Sequence, residues 1–404
     1  MRRLFFLLLL LVPFIAESQI AQFRGPQRTG SYPDKNLLDK WPDGGPQLLL
    51  TIEGIGKGWS SAVTNDKAIY ITGMKDTLDY LTSIDLTGKI NWQVPFGRSF
   101  QNSFKDTRCT PTVEGNNVWV ISGTGKLSCF DATTGKENWS VFVDKTYQSK
   151  WFNWGVAESV LVVDNKVICS PYGAMTALVA YDKNTGKLIW QSKSVGGKRS
   201  FVSPQLYTYK NFKYILSSNT EKTIAVNAEN GDIAWEYKTK GAEISANTPL
   251  FKGNEIYITC GYDAHSVMLK MAEDGKSVSE KWVDSILDNH HGGVVVVNGT
   301  IYGSNWIGND NGKWCSLDWN TGKIGYETKW NNKGSIITAD NKLYILEEKT
   351  GNVGLANPNP AKFDLVSYFK LDKGTGDYWA HPMIHDGKLY IRHGDMLMIY
   401  NIKK

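Results

Sequence analysis

Cysteine is scarce in this chain, and its spacing gives no pairing. The five residues, Cys109, Cys129, Cys169, Cys260 and Cys315, are odd in number and never adjacent. Such a set supplies no disulfide framework. All but Cys109 lie in or beside apolar strand segments, where cysteine serves as a small buried hydrophobe. After Ala16 no apolar run is long enough to cross a bilayer. No dense basic run exists either: 45 basic residues stand against 40 acidic ones, a net charge of +5, which argues against a nucleic-acid partner. There is no long helical pattern, no His-Glu-x-x-His and no nucleophile elbow. Gly123-Thr-Gly-Lys126 has the wrong spacing for a phosphate loop, and no helix pattern follows it.

What the chain does have is a phrase that returns. It reads Asp131-Ala-Thr-Thr-Gly-Lys-Glu-Asn-Trp139 and Asp182-Lys-Asn-Thr-Gly-Lys-Leu-Ile-Trp190, and one residue shorter Asp85-Leu-Thr-Gly-Lys-Ile-Asn-Trp92. It drifts to Asn227…Trp235, Met271…Trp282 and Asp318…Tyr326. A period between the low forties and low fifties along the whole chain means a repeat architecture. In each phrase Asp or Asn opens a turn with its side-chain acceptor, and Gly takes the positive-φ position. Short β-branched or aromatic runs flank these turns, four to a unit, which predicts four-stranded antiparallel blades.

Eight units can be counted, with inner strands beginning near Ser60, Thr110, Glu158, Ser203, Thr248, Gly292, Gly334 and His381. The eighth stops at its third strand, Met396 to Asn401. The missing strand is found in Pro46-Gln-Leu-Leu-Leu-Thr-Ile-Glu53, so the N-terminal part is expected to close the ring. The fold class is therefore all-β, an eight-bladed β-propeller over 46–404. An open solenoid would need capping repeats instead of complementary half-units. Residues 19–45 form a lead segment. Residues 1–18 read as a secretory signal peptide, with Arg2 and Arg3, an apolar run to Ala16, and the cleavage pattern Ala16-Glu-Ser18. The expected location is the periplasm or outside the cell, with no lipid-anchoring cysteine at the cleavage point.

The repeat phrase resembles that of the pyrroloquinoline-quinone-type propellers. So do Phe23-Arg-Gly-Pro-Gln-Arg-Thr-Gly30, Trp41-Pro-Asp-Gly-Gly-Pro46, Gly58-Trp-Ser-Ser61, His290-His-Gly-Gly293, Trp379-Ala-His-Pro382 and Arg392-His-Gly-Asp395. The resemblance covers essentially the whole mature chain. It implies either a quinoprotein dehydrogenase of alcohols or sugars, carrying pyrroloquinoline quinone with Ca, or a non-enzymatic scaffold for outer-membrane protein assembly. Two departures stand out: the large alcohol dehydrogenases are longer and carry a vicinal cysteine pair, and the scaffold carries a lipidated cysteine.

Propeller topology puts the connectors entering the inner strands and the turns between second and third strands on one face. That face is expected to hold Trp59, Arg108, Trp154, Arg199, Asn247, His290, Lys333, Trp379, Arg392 and His393 as ligand or cofactor contacts. His291 and His381 are the candidate bases, and Asp263, Asn305 and Asp395 the candidate oxygen donors to a metal. Five of the six histidines fall there, and His385 faces the other way. Such a funnel would take a small polar or anionic ligand, a tricarboxylate quinone or a sugar. Three readings follow: a quinone-dependent oxidoreductase; a scaffold for a periplasmic protein or polysaccharide; a metal-assisted sugar-modifying enzyme. The repeat tryptophans and Asp85, Asp131, Asp182 and Asp318 are expected to be structural. His290 and His291, if the backbone is extended, are expected to point in opposite directions. His381 and His385, about 13 Å apart on an extended chain, cannot share one metal.

Overall fold

A computed structural model describes residues 20–404 apart from 152 and 240–243. The signal-peptide reading of 1–18 lies outside the described residues. Eight four-stranded antiparallel sheets form the ring. Blades 1 to 7 span 63–98, 112–142, 161–191, 205–238, 250–284, 294–328 and 334–370. Blade 8 takes its inner three strands from Met383–His385, Lys388–His393 and Met396–Asn401, and its outer strand from Leu48–Ile52. Leu48 pairs with Tyr400 and Ile52 with Leu397, so the N-terminal strand closes the circle as expected. The five cysteines are free and buried.

The repeat phrase explains why neighbouring blades hold together. Asp131 Oδ1 accepts from the backbone N–H groups of Thr133 and Thr134 and from the Thr134 hydroxyl. Asp182 and Asp318 repeat that pattern. The turn thus fixed offers a bare glycine to the preceding blade's indole. Trp92, Trp139, Trp190 and Trp282 lie on Gly135, Gly186, Gly231 and Gly322, where an added Cβ would sit 2.7 Å from ring atoms. Each indole N–H then donates to the backbone carbonyl after the turn's Asp or Asn: Ala132, Lys183, Ala228 and Trp319, at 3.1–3.3 Å.

A second belt runs round the axle. Ser61 N–H donates to Thr110 Oγ1, Thr110 N–H to Ser159 Oγ and Ser159 N–H to Ser203 Oγ, at 2.9–3.0 Å. Ser61 Oγ returns to the His381 carbonyl at 2.8 Å. Because these residues serve the next blade, the ladder of an inner strand begins two or three positions later than the pattern indicates, as at Val63 and Leu161; Gly334 alone begins where expected.

The lead segment plugs the axle. Ala21 exchanges two backbone bonds with Val113, and Tyr32 N–H donates to Thr338. Between them Arg28, 1% exposed, donates to the carbonyls of Ser159, Val160 and Pro204. Arg24, 4% exposed, donates to those of Val294 and Ile336. Burial lowers their guanidinium pKa to about 9 and about 10, so both stay charged at neutral pH.

Two outcomes follow. Gly186→Ala combines a positive φ of 69° with overlap on Trp139, whereas Gly299→Ala, at φ 80°, meets nothing within 4 Å. Thermal unfolding is expected to show the larger loss for Gly186→Ala, Gly299→Ala costing only about 1 kcal/mol of backbone strain. Arg28→Ala leaves the buried carbonyls of Ser159 and Pro204 without their guanidinium donor, at about 1–3 kcal/mol each, while Val160 keeps the Thr112 hydroxyl. It should lower the melting temperature more than either glycine variant.

Candidate functional site

Beside the plug, connectors and turns of several blades enclose a cup. Its floor includes Phe23, and its volume is about 430 Å³. Eight of the expected residues line it: Trp59, Arg108, Trp154, His290, His291, Lys333, Trp379 and His381. They come from connectors that enter six different blades, 1, 2, 3, 6, 7 and 8. Tyr262 and Glu348, from turns between second and third strands, join them on the same face. Sequence reasoning did not find Phe23, Phe104, Phe201, Glu348 or Asp377. Phe104 had a weak signal, standing four positions before Arg108 in the same connector.

The wall is a chain of rings. Phe201, Trp154, Phe104, Trp379, His291, His290 and Tyr262 follow one another with centroids 4.4–6.3 Å apart, and Trp59 leans on Trp379 at 5.0 Å. Both histidines of the pair line the cup, against the expectation of alternation. The chain bends at His291 and Gly292, and Gly293 has φ +72°, so the stretch is not extended. Their Nδ1 atoms meet at 3.0 Å, one donating and the other accepting. His291 Nε2 lies 3.3 Å from a carboxylate oxygen of Glu348, which also holds Lys333. Burial pushes the Glu348 carboxyl up to about 7, with Lys333 opposing the rise.

His381 is not a free base. Its Nδ1 accepts from Arg24 at 2.8 Å, and its Nε2 therefore carries the proton and donates to the His291 carbonyl at 2.8 Å. Its one lone pair is occupied, which fixes it as a post between plug and cup.

The remaining expected residues are engaged elsewhere. Arg199 is buried between Asp144 and Glu158. Asn247 holds the carbonyls of Asn289 and His290, and so supports His290 from behind. Arg392 donates to Ser60 and to the carbonyls of Gly56 and Gly394, tying blade 8 to blade 1. His393 stacks on Tyr378 at 3.7 Å, with both nitrogens on carbonyls. The three candidate metal donors do not converge. Asp263 N–H donates to Asp288, the Asn305 amide is held by Glu327 and the Lys313 N–H, and Asp395 accepts from Thr375. Among the described residues no group of three His, Cys, Asp or Glu could hold a metal ion. His385 pairs with Asp66 in a cleft lined by Ile20 and Pro26, away from the cup.

A tricarboxylate quinone with calcium does not fit this residue set. The guanidiniums of Arg24, Arg28, Arg199 and Arg392 are taken up by carbonyls, hydroxyls and carboxylates of the ring. Arg108, lying over Trp59 at 5.2 Å, is the guanidinium that lines the cup. Phe23 and Arg24 fill the axle beneath.

Burial, with Lys333 and Arg24 adding to it, holds the imidazoles of His290 and His381 down to about 3. In a histidine-labelled sample neither should titrate between about pH 8 and about pH 5 by NMR. The unfolded chain protonates these rings near 6.5 and the folded one does not, so their contribution to stability falls as pH drops from there towards about 3. Arg24→Gln should raise the His381 midpoint, because it removes the cation facing Nδ1.

Comparison with known proteins agrees with this architecture. The family model described as outer membrane protein assembly factor BamB matches residues 78–328. The outer membrane protein assembly factor BamB of Burkholderia pseudomallei is 27% identical over 185 residues, 43% of this chain and 42% of that protein. The match thus spans less than half of the curated relative. The crystal structure of BamB from Moraxella catarrhalis superposes with a TM-score of 0.63 at 14% identity, over 88% of this chain and 99% of that one. A europium-containing methanol dehydrogenase gives 0.63 at 13%, over 94% and 91%. Quinohemoprotein alcohol dehydrogenase ADHIIG from Pseudomonas putida HK5 gives 0.64 at 11%, over 93% and 79%. At these identities the solved structures speak to the fold alone, and no described helix is long and apolar enough to cross a membrane. With the ring, its closure and the family match over most of its blades in hand, the chain belongs to the outer membrane protein assembly factor BamB family of β-propellers.

Proposed function

We propose that this protein is a non-catalytic scaffold of the bacterial envelope, acting in the assembly of outer membrane proteins. The observation that carries the reading is the fate of its cations. The buried arginines that a quinone would need for its carboxylates donate instead to the ring's own carbonyls and carboxylates. Of the candidate metal donors, Asn305 is taken up by Glu327 and Asp395 by Thr375, and among the described residues no group of three His, Cys, Asp or Glu could hold a metal ion. A dehydrogenase must polarise a substrate and accept its proton; here His381, a candidate base, has its lone pair on Arg24. A scaffold needs only a rigid ring with loops on its faces, and family membership points the same way. The signal-peptide pattern in 1–18 agrees with a periplasmic place of work.

Deleting the gene in its host should lower the abundance of outer membrane proteins in purified outer membranes, measured by quantitative mass spectrometry, and a plasmid copy should restore it. Unchanged levels would count against the reading. So would dye reduction by the purified protein after loading with pyrroloquinoline quinone and calcium, assayed with alcohols and sugars.

A further inference from the structure

The scaffold reading leaves the cup without a purpose, although its construction is specific. Its charged lining is balanced: Arg108, Lys333 and Lys349 face Asp310, Glu348 and Asp377. Lys333 pairs with Glu348 and Lys349 with Asp310. Glu348 carries its charge only in part near neutral pH, so a ligand bearing net charge of either sign finds little surplus counter-charge. An aliphatic ligand would strip water from these ion pairs and return no hydrogen bonds, which is costly. What suits such a lining is a neutral molecule with many hydroxyl groups, each able to donate and to accept.

The wall adds shape to this chemistry. The indoles of Trp59 and Trp379 and the ring of Phe104, 49% exposed, stand at the mouth beside the polar base. The negative face of an indole attracts the C–H bonds on the flat side of a sugar ring, while the hydroxyls at the ring's edge remain free to reach polar groups. The volume of about 430 Å³ lies within the range of small-ligand sites, and it admits one or two sugar rings but not a folded protein segment. We propose that the cup binds a neutral oligosaccharide end, with a sugar ring against Trp379 and its hydroxyls on Glu348 and the His290–His291 pair. This site is independent of the assembly role: its failure would leave the scaffold reading intact, and the reverse also holds.

The experiment uses the purified mature protein and four trisaccharides: maltotriose, cellotriose, the trimer of N-acetylglucosamine, and trigalacturonate as the charged comparator. Binding is read by intrinsic tryptophan fluorescence and by calorimetry. At least one neutral trisaccharide is expected to saturate with a dissociation constant of about 1 mM or tighter. Trigalacturonate should bind at least about tenfold more weakly. Trp379→Ala and the isosteric Glu348→Gln should each weaken the neutral ligand by about tenfold or more, and Phe142→Ala, exposed and outside the cup, should not change it. Circular dichroism and melting establish that each variant is folded; if Trp379→Ala is not, Phe104→Ala takes its place. Absence of saturable binding by all three neutral probes overturns the proposal. So does equal binding of trigalacturonate, or binding that survives both cup substitutions.

Discussion

The structure depends on an indole lying on a glycine. Four blade junctions are made this way, and in each the two partners come from successive copies of one phrase. The geometry leaves no room for a side chain at the turn, and the Asp that opens the turn holds the glycine in place. The spacing of the blades is set there, and with it the number that closes the circle. Where the phrase drifts, the contact is remade with other atoms. Leu50 and Ile52 stand over Gly88 at the closure, at 3.6 Å from where its Cβ would be, and Phe212 and Tyr214 cover Gly275. The Trp235 indole faces a blade in which Gly275 N–H bonds back three residues to Ala272 instead of four, and its own N–H has no partner among the described residues.

A ring of strands creates a difficulty at its centre. Inner strands converge on the axle and bring backbone carbonyls into a space too narrow for bulk water. The lead segment answers it with two guanidiniums, each planar and rich in donors, one satisfying blades 3 and 4 and the other blades 6 and 7. The same insertion shuts the channel and sets Phe23 beneath the cup. Arg24 continues upward to His381, which holds the backbone of His291, so the plug and the cup's histidines form one hydrogen-bonded column.

This column marks the boundary of what the sequence disclosed. Blade number, ring closure and turn aspartates were readable, because each follows from a period or from the chemistry of a short turn. Which cations were free was not. Arg108 lines the cup, whereas Arg199 and Arg392 serve the ring, yet all three stand in equivalent connectors or turns. Their partners include backbone carbonyls, which every residue has and which leave no mark in a sequence. The bend at His290-His291 was not readable for a related reason: it is accompanied by the positive φ of Gly293 and by Asn247 drawing on two consecutive carbonyls from another blade. Phe23 and Arg24 were visible as a motif, but nothing local says that a lead segment will run along the axle.

The cup's walls belong to many blades, and that has an energetic consequence. Trp59 enters blade 1 and Trp379 enters blade 8, so these touching rings straddle the one junction closed by a strand from the far end of the chain. Arg392 crosses the same junction below them. A ligand seated as proposed, on the Trp379 that Trp59 supports, would bind the closed ring better than any state in which this junction has opened. By mass action the gain grows with the logarithm of ligand concentration above its dissociation constant. The two ends of the chain meet in blade 8, and the aromatic mouth is built beside that seam.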